Sequence, residues 1–265
     1  MFFSSPIERN LLSIRKVWQE EKNPWNSGIR KCYDIDEASW IWHPDFLNKE
    51  PVFLLFKLSF EWTDREEPLL FSFSADQYAE LCIDGELVAR GPEASPPGAH
   101  AFASFEIAGL SSGDHCFEVF AWWLGSHRGS PPMARETCAP GFILSVQGGH
   151  DAKITTGKGP WRVVHLEGLS LHRERRFGPA FGIGDGTRFD ARQHPRDASN
   201  FKPAAITHSR HPDNPTGERS PRYCLRPSRL PEQLYNEVAA GKIRAVINTF
   251  INAEGWDQSL YRIQE

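Results

Sequence analysis

The stretch FSFSADQYAELCIDGELVARGP, Phe71 to Pro92, alternates apolar and polar residues and then turns on a single dipeptide. Phe71, Phe73 and Ala75 interleave with Ser72, Ser74 and Asp76, the period-two pattern of a strand that buries one face. Asp84-Gly85 supplies the positive φ angles that a two-residue hairpin turn requires, and Gly91-Pro92 stops the run. Antiparallel β-structure follows from these features.

The same grammar extends outward. From Ser39 the runs SWIW, VFLLFKLSFEW, LLFSFSAD, YAELCID, ELVARG, AFASFEI, CFEVFAWWLG, GFILSVQG and WRVVHL succeed one another, most of them separated by turn residues such as Pro96-Pro97-Gly98 and Ser111-Ser112-Gly113-Asp114. Short strands at this spacing predict an antiparallel β-sandwich of the galactose-binding-like or jelly-roll type rather than βαβ units. Ahead of them, Ser5-Pro6-Ile7-Glu8 reads as a capping box with proline at the first helical position. Ile7, Leu11, Ile14 and Trp18, with Val17 beside them, then predict a helix of about four turns packed by one face. Beyond Leu171 the chain is rich in Arg, His, Gly and Pro, which predicts long loops with occasional strands. Leu230 to Ala240 reads as a helix and Lys242 to Ile251 as a closing strand. The expected organisation is a helix and lead-in over 1–34, the sandwich over 35–225, and an extension over 226–265.

Bulk properties exclude several classes. The chain has 265 residues, 40% hydrophobic and 24% charged, with nine Trp, eighteen Phe and only two Met, so a core of rigid rings is available. A net charge of −4 offers no basic stripe for nucleic acid. The N-terminus lacks the apolar run of a signal peptide, and no segment approaches the ~20 apolar residues of a membrane span. Cys32, Cys82, Cys116, Cys138 and Cys224 are odd in number and contain no C-x-x-C pair. Reduced thiols in a cytoplasmic protein are the simplest expectation.

The order of motifs resembles the N-terminal β-sandwich of bacterial α-L-rhamnosidases. The resemblance rests on Ser39-Trp40-Ile41-Trp42, the SAD-x-Y to GP hairpin, Trp161-Arg162-Val163 after a Thr-Gly turn, Phe189-Asp190-Ala191-Arg192, and Arg226-Pro227-Ser228-Arg229-Leu230-Pro231, and it spans roughly residues 39–231. In that family a helical barrel carries the paired carboxylates of hydrolysis, and no room for such a barrel is expected in this chain. Glu20-Glu21 and Glu66-Glu67 read as solvated surface rather than as an acid pair. The resemblance therefore implies a non-catalytic module that binds carbohydrate or supports a catalytic-domain partner. Two alternatives stand beside it: a structural or assembly sandwich without sugar binding, and a rhamnoside hydrolase acting through an unrecognised acid pair.

Candidate ligand-binding residues are Asp76, Tyr78, Arg90, Trp122 and Trp123. Trp122 and Trp123 are adjacent on one strand, so one belongs to the core and the other faces outward. The outward ring is either a platform for a sugar or packing for a neighbouring element; Trp42 and Trp62 carry the same ambiguity. Asp76 either contacts a ligand at the strand end or caps a turn, and Arg90 either clamps hydroxyls or forms a surface ion pair. By resemblance the Asp76 corner lies where related modules bind sugars or calcium, so calcium stays open, with no other cofactor expected. His43-Pro44-Asp45, His211-Pro212-Asp213 and His150-Asp151 lack transition-metal spacing. Gly182, Gly184 and Gly186 read as a loop rather than a dinucleotide site.

Overall fold

A computed structural model describes residues 12–17, 38–47, 51–63, 67–95, 100–125, 139–147, 151–172, 186–193, 200–208, 225–228 and 230. The chain falls into two compact units, Met1–Leu230 and Pro231–Glu265. All of the described residues belong to the first. The expected C-terminal helix and closing strand lie outside the described residues.

The first unit is an all-β, two-sheet antiparallel sandwich. One sheet contains β1 (Ser13–Val17), β2 (Trp40–Trp42), β4 (Leu69–Asp76), β7 (His100–Ala108), β9 (Gly141–Val146) and β14 (Ala205–His208), in the order β1-β7-β4-β9-β2-β14, with β15 (Leu225–Pro227) added to β7 as a parallel neighbour. The other runs β13 (Lys202–Pro203), β10 (Arg162–His165), β3 (Val52–Trp62), β8 (Gly113–Trp123), β5 (Tyr78–Ile83) and β6 (Glu86–Gly91). A separate hairpin pairs β11 (Leu169–His172) with β12 (Gly186–Phe189). The runs read from Ser39 to Leu166 correspond to β2 through β10.

Alternation builds the core between the sheets. Leu54, Phe56, Leu58 and Phe60 of β3 and Phe117, Val119, Ala121 and Trp123 of β8 face Phe71, Phe73, Phe105 and Phe142 across the interior. Phe117 sits among Phe60, Phe71 and Trp161, with ring centroids 5.2, 6.0 and 6.1 Å away. Trp42 and Trp62 are both buried in this core, so neither is a surface platform.

Two expectations change. Residues 13–17 are a strand, not part of a helix: β1 pairs antiparallel with β7 from Ser13↔Ala108 to Val17↔Ser104. The spacing of Ile14 and Val17 suits a helix, but the open edge of β7 offers backbone partners, and tertiary pairing overrides so short a periodic signal. Residues 1–11 and 18 of that expected helix lie outside the described residues. The second change concerns β4, whose polar face is buried as well as its apolar one: Ser72, Ser74 and Asp76 are as enclosed as Phe71 and Phe73. The strand is central, flanked by β7 and β9. Its hydroxyls are satisfied within the sheet, Ser72 against Ser104 at 2.6 Å and Ser74 donating to the Ala101 carbonyl at 2.7 Å.

Candidate functional site

The opening stretch does not stay in one sheet. β4 ends at Asp76 in the seven-stranded sheet, and β5 begins at Tyr78 in the six-stranded one, so Gln77 alone carries the chain across. Gln77 is buried and pins the corner to the end of β8. Its N–H donates to the Trp122 carbonyl at 3.1 Å, and its Oε1 accepts from the Leu124 N–H at 2.7 Å. Gln77→Ala would leave the Leu124 amide short of an acceptor, an expected loss of about 1–3 kcal/mol. Chemical denaturation checks this value.

β5 and β6 form the hairpin foreseen at Asp84-Gly85, with φ of 51° and 81° at the two turn residues. The Asp84 carboxylate does more than shape the turn. Its Oδ1 accepts from the Cys116 N–H at 2.8 Å and its Oδ2 meets His115 Nδ1 at 2.6 Å, while His115 Nε2 lies 2.7 Å from the Ser111 carbonyl. The hairpin is thereby fastened to β8 and to the turn before it.

With β5, β6 and β8 so placed, residues of even number on β5 and β8 face outward from the six-stranded sheet. Register sets them in rows. In one row Tyr78 lies opposite Trp122, which lies opposite Phe53; in the next, Arg90, Glu80, Phe120 and Leu55 follow in turn. A third row places Cys82, Glu118, Lys57 and Arg162 side by side. The Tyr78 and Trp122 rings are 4.6 Å apart at 35°, and Phe120 lies 5.3 Å from Trp122. Both rings of the first pair are half-buried. Beside them Arg90 Nε stands 3.3 Å from Glu80 Oε1, and in the third row Lys57 Nζ stands 2.5 Å from Glu118 Oε1. Rings with exposed faces stack on the C–H face of a ligand ring, and an adjacent acid–base pair accepts and donates hydrogen bonds to hydroxyls.

Three of the five candidate residues therefore share this face: Tyr78, Arg90 and Trp122. Trp123 points the other way into the core, as the alternation requires, and Asp76 is only 1% exposed, on the far side of the Gln77 crossing. Glu80 and Phe120 belong to the face but were not singled out from sequence. The signal available was their spacing, two residues from Tyr78 and Trp122 respectively.

The thiols of Cys82 and Cys116, both free, lie half-buried on the same face. Burial first, and then the carboxylates of Glu118 and Glu80, push the Cys82 thiol up to about 11. Cys116 is raised by burial and then by Glu118. Such thiols are poor nucleophiles at neutral pH.

Among the described residues no three His, Cys, Asp or Glu side chains are grouped to hold a metal ion. His43-Pro44-Asp45 is a turn, in which the Asp45 N–H donates to His43 Nδ1 at 3.2 Å and the Asp45 carboxylate pairs with Lys202. His150 and His211-Pro212-Asp213 lie outside the described residues, as do Gly182 and Gly184; Asp151 opens a one-turn helix, Asp151–Ile154, and Gly186, expected in a loop, begins β12. Asp190 is held down to about 2 by hydrogen bonds from Arg192, whose guanidinium meets both carboxylate oxygens at 2.9 Å. No helix among the described residues is long and apolar enough to cross a membrane.

Fold and face together define a two-sheet antiparallel β-sandwich module with a half-exposed aromatic and ion-paired patch on one sheet. Over 74% of its length the chain is similar to part of the GH78 family rhamnosidase of Bacillus sp. GL1, at a TM-score of 0.53 and 21% identity, matching 20% of that chain. The alfa-L-rhamnosidase from Aspergillus terreus matches over 66% of this chain and 21% of its own, with a TM-score of 0.46 and 13% identity. By the Bacillus match the β-sandwich is rhamnosidase-like in fold, and the chain spans about a fifth of the length of these solved rhamnosidases. No protein-family model matches the sequence, and no curated protein matches it.

Proposed function

We propose that this chain is a non-catalytic, carbohydrate-binding accessory module related to α-L-rhamnosidases, with the sugar seated on the outer face of the six-stranded sheet. The observation that carries this reading is the Tyr78–Trp122 pair with Glu80 and Arg90 beside it. A pyranose rests its C–H face on the rings while its hydroxyls reach the charged pair. Glu80 and Glu118 of this face are each engaged by a cation, Arg90 and Lys57 respectively, while Glu61 and Asp114 lie opposite each other at the other end of β3 and β8. Glycoside hydrolysis instead requires a protonated acid set opposite a second carboxylate. The size of the Bacillus protein relative to the matched part supports a role beside a catalytic domain, whether on the same polypeptide or another.

Calorimetric titration with methyl α-L-rhamnoside and neutral plant oligosaccharides tests this. Saturable heat that disappears in Trp122→Ala is expected; no heat with any of them removes the binding reading. A second reading, a docking face for another protein domain, is favoured by the apolar cluster of Phe53, Val164 and Leu166 with Leu55, Phe120 and Trp122 packed around it. Light scattering that shows self-association abolished by Phe120→Asp would support it.

A further inference from the structure

Tyr78 is the first residue of β5, and the Tyr78↔Trp122 pair closes the ladder between β5 and β8. Trp122 is held on its other side by Phe53 of β3, whereas the ladder between β5 and β6 stops at Ala79↔Gly91, so among the described strands only β8 pairs with Tyr78. In a ladder carried further, residue 76 would stand opposite Leu124. Asp76 instead belongs to β4 and the other sheet. The side chain of Gln77 takes over: its Oε1 accepts from the Leu124 N–H at 2.7 Å, as a strand carbonyl would, and its own N–H donates to the Trp122 carbonyl at 3.1 Å. A third contact runs from Gln77 Nε2 to the Gly125 carbonyl at 3.5 Å. At 5% exposure Gln77 offers a ligand almost no surface of its own.

We infer that Gln77 is the positioning residue of the carbohydrate site, holding the Tyr78 ring against Trp122 without touching the sugar; this rests on the carbohydrate reading above. A platform of two rings serves a pyranose only while both are set side by side, here 4.6 Å apart at 35°. Rings ordered in advance spare the ligand the cost of ordering them. Strand ends open more readily than strand interiors, and Gln77 sits where two ends meet, the start of β5 and the finish of β8. Loss of its carboxamide oxygen leaves the Leu124 amide short of an acceptor and lets the end of β8 move relative to Tyr78. The apparent affinity then falls with the fraction of molecules whose rings are still aligned. Removing a ring takes away part of the platform; removing Gln77 keeps both rings and loosens their arrangement.

Gln77→Met keeps the side-chain length and removes the acceptor. Thr156→Val is the matched control, since Thr156 Oγ1 is buried and accepts from the Leu144 N–H of the seven-stranded sheet at 3.0 Å. The native chain and both variants are titrated by calorimetry with methyl α-L-rhamnoside and neutral plant oligosaccharides, below the unfolding transition of all three. In parallel the Trp122 indole N–H is followed by NMR, that signal being the one missing from Trp122→Ala. Both variants are expected to lose stability. Gln77→Met alone is expected to bind about tenfold more weakly, the size of one hydrogen bond, and to shift the Trp122 signal, because the indole no longer lies fixed against Tyr78. Should Gln77→Met fail to fold, Gln77→Asn, one methylene too short for the Leu124 amide, takes its place with the same expectation. Native affinity in the Gln77 variant, or an equal loss of binding in Thr156→Val, would overturn the positioning role and leave carbohydrate binding in place. Absence of binding by the native chain would remove the carbohydrate reading and this inference with it.

Discussion

Alanine at Trp122 and alanine at Trp123 are expected to have opposite consequences although the two residues are adjacent. Trp123 is 6% exposed, faces the opposing sheet from the end of β8 and belongs to the main core. Its truncation leaves a cavity that packed neighbours fill only in part, at a cost of about 3–5 kcal/mol. Against a typical total stability of roughly 5–15 kcal/mol, that removes a large part of the margin and lowers the unfolding temperature markedly. Trp122 is half-buried on the outer face, against Tyr78 and Phe120. Its removal costs less stability and takes away the larger ring of the platform, so sugar affinity is expected to fall by tenfold or more, each tenfold being about 1.4 kcal/mol. Thermal unfolding and calorimetric titration of the two variants side by side check both halves. Equal destabilisation with equal loss of binding would contradict the assignment of faces.

Mild acid is expected to weaken the fold through His100. The ring is 4% exposed at the start of β7, its Nε2 lies 3.2 Å from the Ala75 carbonyl, and the Trp40 ring is 6.1 Å away. Burial lowers its pKa from the ordinary 6.5 to about 4, against the opposing pull of the Ala75 carbonyl. As pH falls through 6.5 the unfolded chain takes up a proton that the folded chain refuses until about pH 4, so the unfolded state gains throughout that window. The contribution of His100 is therefore full above pH 6.5 and is lost progressively below it, by about 3 kcal/mol at pH 4. His43, also lowered by burial, acts in the same direction. Denaturation curves at pH 7 and pH 4.5 for the native chain and His100→Gln isolate the effect, because glutamine does not titrate. The native chain should lose more stability between the two pH values than the variant; identical losses would show that His100 does not titrate in this window.

The sandwich is legible wherever alternation and turn chemistry agree, which is why β2 through β10 and the Asp84-Gly85 turn follow from sequence alone. β1 was not, because five residues with Ile14 and Val17 satisfy helical and extended spacing alike, and only the vacant edge of β7 decides between them. β11 to β15 are two to four residues long and lie in a region crowded with Arg, His and Pro. For β13, β14 and β15 the pairing comes from sandwich strands, not from their own pattern. The candidate face was half legible. Tyr78, Arg90 and Trp122 were named on residue type, and the alternation of Trp122 and Trp123 followed from strand geometry. What the sequence hid is register: that Glu80 lies opposite Arg90, and that Asp76 and Tyr78 belong to different sheets with Gln77 between them, depends on pairings between distant segments.

The account turns on the outer face of the six-stranded sheet being a carbohydrate-binding surface. A glycan array probed in parallel with the native chain and with Trp122→Ala tests it most directly. The account predicts signal on neutral glycans for the native chain and its loss in the variant. Absence of signal across the array, or equal signal from both proteins, would contradict it.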